Sequence, residues 1–280
     1  MKRLFPALRA LLAMALVIVV GEVIFRRFLV PALGVSLADT PDFTQWPGML
    51  ILGFLLPVVM VTVALGLYRF VDRRKWSDFG FDMSDRARVV AFGGLALMLT
   101  SFGFFIAFTQ MAESVEWRIT SGVSLIFVLS AAVTYIGTGI WEEFFFRGYL
   151  YKTLTDYGKP AAYIVSILLF SLIHFTEESL ELSRLLNLLL TSFFLTYVYD
   201  RTRSIWPGVL LHGGWNFFNF LVVSNQSGVS LLQVTGPISL YNRWFSTILH
   251  LVLIFLVWII YRNRSIDSKY KRRRIHENIV

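Results

Sequence analysis

Apolar residues run in eight long windows, at about 8–30, 47–70, 88–110, 123–151, 160–177, 184–200, 204–223 and 243–261, separated by polar or basic connections. Most approach or exceed the roughly 18 residues that a helix needs to cross a hydrocarbon core of about 30 Å. The strict alternation of barrel strands is missing, and in lipid only helices and closed barrels satisfy their own backbone. The pattern predicts an all-α fold: a polytopic integral membrane protein with about eight transmembrane helices, forming one membrane domain over 1–280.

Composition strengthens that reading. The chain is 56% apolar and only 16% charged, where soluble domains carry about 25% charged residues. Cysteine is absent, which excludes disulfides, thiolate metal sites and a cysteine nucleophile. The net charge of +8 does not point to nucleic acid, because the basic residues sit beside apolar spans, where anionic headgroups are the natural partners. Of the 26 Lys and Arg residues, all but Arg26, Arg27, Arg118, Arg184 and Arg243 fall on one set of alternate connections. The positive-inside rule then predicts that both termini are cytoplasmic.

The start, "MKRLFPALRALLAMALVIVVGEVIF", has the basic opening of a secretory signal but no small-residue cleavage pattern, so an uncleaved first helix is expected. This start and the compact chain suit a bacterial plasma membrane. Residues 262–280 read as a basic, solvated cytoplasmic tail. The stretch from 68 to 88 is too polar to span and is expected at the interface, with Trp76 and Phe79 near the headgroups.

Against this background, three spans carry groups that lipid would not tolerate. They are "WEEFFFR" at 141–147, "FSLIH" ending at His174, and "HGGWN" at 212–216. A charged group at the bilayer centre costs about 2.5 to 3.5 kcal/mol on insertion scales. Glu142, His174 and His212 lie roughly 20, 20 and 12 Å from the basic ends of their helices, at 1.5 Å of rise per residue. Three helices thus bring polar groups to a similar depth, with approach expected from the basic face.

Glu143 and Arg147, four apart with the acid first, should pair. Glu142, turned by about 100° from its neighbour, is left to face a polar cavity. His212 and Asn216 are also four apart, and Gly213 and Gly214 between them leave room for close approach. A desolvated carboxylate with a second acid alongside suits a general base working near neutral pH. His174 can share and orient the water, and His212 with Asn216 can donate to an oxyanion. Asn219, one turn on, could replace Asn216. Glu22 and Arg26 form a local pair at a helix end, and His250 is read as structural.

In order and spacing, "EEFFFR", "FSLIH" and "HGGWN" resemble the EExxxR, FxxxH and HxxxN motifs of the CAAX protease and bacteriocin-processing family, also called the Abi family of intramembrane glutamic endopeptidases. The resemblance covers about 123–223, the expected catalytic core. It implies an eight-helix membrane endopeptidase with a conical cavity open to the cytoplasm. Glu142 and His174 would activate water, His212 and Asn216 would form the oxyanion site, and Glu143 and Arg147 would support them. Phe170 fills the remaining apolar motif position. The implied substrate is a peptide or membrane protein, with no cofactor.

Two other chemistries fit less well. Zinc could be held by His174, His212 and an acid, but HExxH is missing. A serine mechanism lacks its GxSxG elbow. A non-enzymatic scaffold, immunity or regulatory protein on the same fold is the alternative of a different class.

Overall fold

The computed structural model describes residues 4–35, 42–111, 115–174, 182–226 and 228–262. Each apolar window forms a helix. These are α1 (Phe5–Ala32), α2 (Phe43–Val71), α3 (Asp85–Met111), α4 (Leu125–Tyr157), α5 (Lys159–Ile173), α6 (Leu182–Thr202), α7 (Trp206–Val223) and α8 (Ile238–Arg262). Among the described residues, six helices are long and apolar enough to cross a membrane unaided, α5 and α7 being the exceptions. α5 is short, and α7 is diluted by His212, Asn216 and Asn219. The two helices that fall short both carry motif residues. The last residues of the fifth window and the basic tail beyond Arg262 lie outside the described residues.

Local chemistry fixes the helix starts. Asp42 caps α2, its Oδ1 accepting from Thr44 N at 2.9 Å and Thr44 Oγ1 at 2.6 Å. These bonds hold the Asp42 carboxyl below its ordinary range. Ser84 caps α3 by accepting from Ala87 N. Pro160 and Pro207 occupy first turns, where a missing N–H costs nothing.

α4 is the central element, packed between α2 and α7. In lipid there is no hydrophobic drive between helices, so close backbone approach must supply the contact. A Cβ added at Gly53 would lie 2.6 Å from Thr134 Oγ1, and one at Gly137 would lie 2.6 Å from Pro57 Cγ. On the other side, a Cβ at Gly139 would lie 2.5 Å from Gly213 N. α6 joins α5 and α8 to this core.

Two features depart from the sequence pattern. Short strands β1 (Glu116–Ile119) and β2 (Leu232–Thr235) pair antiparallel across the α3–α4 and α7–α8 connections, with Trp117 opposite Val234. Asn225 clamps this corner, its amide bonding both Val234 O and Val234 N at 2.6 Å. Both connections therefore lie at the same end of the bundle, as an alternating eight-helix path requires.

The second departure is a correction. Trp76 is exposed as expected, but Phe79 is fully buried. Its ring meets Tyr68 edge-on at 5.0 Å and Phe144 at 5.4 Å, and it lies over Gly148, where a Cβ would come within 2.2 Å of Phe79 Cζ. Tyr199 donates to Phe79 O at 2.7 Å, and Trp206 donates to Phe81 O at 2.7 Å. Backbone pairing between Ile205 N and Gly80 O completes the anchor. The polar flanks of the segment mask Phe79, which plugs the end of the bundle.

Candidate active site

The two acids lie at the point where α4 changes from α-helical to wider π-helical geometry, at Phe144–Tyr151. Such wide turns are common at functional positions. Glu142, Glu143, Arg147 and His212 are all buried, while His174 is partly exposed.

Glu143 is the hub of an ionic network. Its Oε1 accepts from Arg147 Nη1 at 2.8 Å and from His212 Nδ1 at 2.9 Å. The expected i,i+4 pair is present. Arg147 is held at its other end by Ser192 of α6, through both the carbonyl oxygen and Oγ at 3.2 Å. Its guanidinium also lies 4.6 Å from the centre of the Phe170 ring, a favourable arrangement in a desolvated site. The second Glu143 oxygen faces Gly208, where a Cβ would approach it to 2.8 Å.

Glu142 stands apart from this network. Its Oε2 lies 3.8 Å from His174 Nε2 and 3.7 Å from His212 Nε2. That oxygen is buried and makes no hydrogen bond among the described residues. The opposite nitrogen of each ring is already engaged: His174 Nδ1 lies 2.8 Å from Phe170 O, and His212 Nδ1 is on Glu143. A carbonyl or carboxylate partner requires Nδ1 to donate, so in the neutral rings both Nε2 atoms present lone pairs towards Glu142. Phe170 seats both rings, 4.6 Å from His174 and 5.9 Å from His212.

His212 and Asn216, expected to donate to one oxyanion, have different neighbours here. His212 turns towards the acids, while Asn216 lines a cavity of 240 Å³ together with Tyr135, Asn219, Phe220, Val223 and Ser224. This cavity lies on the strand-bearing side of the site. On the basic side, Phe144 packs against Phe79 at 5.4 Å and Trp206 at 6.1 Å between ring centres.

Two contributors escaped the sequence reading. Ser192, polar in the apolar run "LLLTSFF", carried a faint signal. Gly208 carried none, because its importance lies in the space it leaves for a carboxylate from another helix. Among the described residues no group of three or more His, Asp or Glu is arranged to hold a metal ion. His174, His212 and Glu142 are the residues that would offer ligands to zinc.

This geometry coincides with the region of known likeness. Residues 123–218 match the family described as Type II CAAX prenyl endopeptidase Rce1-like. The UPF0177 protein YxdF of Lactococcus lactis subsp. lactis (strain IL1403) is 34% identical over 77 residues, 28% of this chain and 40% of its own length. The UPF0177 protein YbdI of the same strain is 36% identical over 77 residues, 28% of this chain and 39% of its own length. The chain thus spans about two fifths of the curated relatives it matches. No solved structure gives a match.

Proposed function

We propose that the chain is a membrane-embedded endopeptidase that hydrolyses a peptide bond with water activated by Glu142 and His174. The observation that carries this reading is the convergence of two histidine Nε2 atoms, at 3.7 and 3.8 Å, on one buried and unbonded oxygen of Glu142. Each ring nitrogen and the carboxylate oxygen accept, so a water with two O–H donors is suited to bridge Glu142 and one of the rings. As the water oxygen bonds to the scissile carbonyl carbon, Glu142 takes its proton. His174 shares that carboxylate oxygen and offers the proton a route to the leaving nitrogen, which departs as an amine when the C–N bond breaks.

The negative charge developing on the carbonyl oxygen needs donors. Asn216 supplies an amide N–H permanently. His212 donates from Nε2 only when that nitrogen holds a proton, and Glu143 keeps the ring turned so that Nε2 faces the site. Glu143 and Arg147 act as positioning residues. Support for the class comes from the Rce1-like segment. A peptide or membrane-protein substrate, anionic headgroups at the basic connections, and cytoplasmic termini in a bacterial plasma membrane complete the proposal.

The test compares new peptide termini in membranes and medium from cells making the wild-type protein or Glu142→Gln at equal levels. Termini that vanish with Glu142→Gln, by a factor of about 10² to 10⁴, and that survive chelator support a metal-independent endopeptidase. Chelator-sensitive termini would transfer the chemistry to a metal on the same residues. Termini unchanged by Glu142→Gln would overturn the reading in favour of a scaffold, immunity or regulatory role.

A further inference from the structure

The cavity beside Asn216 continues the stripe of site residues along two helices. Contacts of Gly139 and Ile136 with Gly213, and of Glu143 with Gly208, run in opposite directions along α4 and α7, so the helices are antiparallel. Tyr135 precedes Glu142 by seven residues, and Asn219 follows His212 by seven. Seven residues are two turns and about 10 Å, returning to within roughly 20° of the same face. Tyr135 and Asn219 are therefore displaced from the acid and histidine in the same direction, and both line the 240 Å³ cavity.

Its chemistry defines an occupant. Asn219 Oδ1 is buried with no hydrogen-bond partner among the described residues, a penalty relieved only by a donor. The walls offered by Phe220, Val223 and the Tyr135 ring are apolar, and among the described residues no acid or base lines the space. A whole ligand needs about 300 to 1,000 Å³; this volume suits one large side chain and a piece of backbone.

We propose that this cavity is a specificity subsite for an extended peptide, resting on the endopeptidase reading above. It holds an apolar side chain against Phe220, Val223 and Tyr135, while the neighbouring peptide N–H donates to Asn219 Oδ1. An extended chain advances about 3.3 to 3.6 Å per residue, so the 10 Å offset sets the recognised residue about three positions from the scissile bond.

The experiment uses the full chain in detergent and a library of peptides from a whole-proteome digest, with new termini read by mass spectrometry. Glu142→Ala is the blank. Wild type should cut where Leu, Ile, Met or Phe stands about three positions from the cleaved bond. Val223→Trp, which fills the space, should shift that position to Gly, Ala or Ser by about tenfold. Val223→Ala, the milder change, should move it towards Phe and Trp. Asn219→Ala should lower kcat/KM on the best peptide about 5- to 10-fold, the loss of one hydrogen bond, with the side-chain preference kept.

Cleavage with an unchanged preference in both Val223 variants, and unchanged efficiency in Asn219→Ala, would overturn the subsite while leaving the endopeptidase in place. An absence of wild-type cleavage above the Glu142→Ala blank would overturn both.

Discussion

Two buried carboxylates in this protein live under opposite terms. Asp72, beyond the end of α2, is as hidden as the site acids, yet its oxygens are answered from several sides: Arg9 at 2.8 Å, Thr153 Oγ1 at 2.6 Å and Arg74 at 3.7 Å. Arg74 also reaches Asp156 at 2.8 Å. Glu142 is equally buried and faces two imidazole nitrogens without a bond to either. Burying a charge is costly unless it is paired and hydrogen-bonded. At Asp72 ion pairs with Arg9 and Arg74 and a hydrogen bond from Thr153 tie three elements together, although Oδ1 itself has no hydrogen bond among the described residues. At Glu142 the ion-pair partners among the described residues are two histidines, with no Lys or Arg beside them.

Glu143 lies between these extremes: Oε1 pairs with Arg147 and His212, while Oε2 is buried without a hydrogen bond among the described residues. Arg147→Ala breaks that middle term and should have the largest effect on the fold. It leaves Glu143 buried with His212 as its remaining partner, which costs about 3 to 5 kcal/mol for a broken buried pair. Folded yield and thermal midpoint in detergent should fall well below those of Glu142→Ala. Equal stability of the two variants would contradict the division between a structural and a reacting acid.

Gly208→Ala sharpens the same division without touching a charge. The new methyl would lie 2.8 Å from Glu143 Oε2, so the carboxylate must move and His212 with it, at about 1 to 3 kcal/mol for overpacking. Cleavage should fall more than the thermal midpoint does. Intact cleavage would show that Glu143 need not hold the ring in place.

Asp72→Asn probes the ion-paired cluster. It keeps the shape but loses the charge opposite Arg9, an expected cost of about 1.5 to 3 kcal/mol, as for hydrogen bonds to charged groups. Peptide cleavage per folded molecule should not change. A matching loss of cleavage would break the contrast between the two carboxylates. At the small end, Glu22 and Arg26 pair at 3.4 Å with both side chains about half exposed. Glu22→Ala should shift the thermal midpoint by no more than a pair worth about 0.2 to 1 kcal/mol allows.

Much of this molecule was legible from the chain alone, for reasons that are local. The eight helices follow from unbroken apolar length, because lipid leaves the backbone no other way to satisfy itself. The Glu143–Arg147 pair follows from a spacing of four on one helix, and the meeting of three motifs follows from their similar depth. The closeness of α4 and α7 was signalled by Gly213.

The remainder depended on which helices touch. Sequence spacing put His212 and Asn216 on one face; that the ring bonds Glu143 and that Asn216 shares a cavity with Asn219 came only from packing. Phe79 looked interfacial because its neighbours are charged, yet the glycine at 148, in another helix, opened the space that buries it. Ser192 and Gly208 acquire their roles from side chains 45 and 65 positions earlier in the chain. Periodicity along one helix fixes the face on which a group lies; the partner that meets it is set by the packing of helices distant in sequence, and in this site that packing ties Glu143 to His212 and brings His174 and His212 to Glu142.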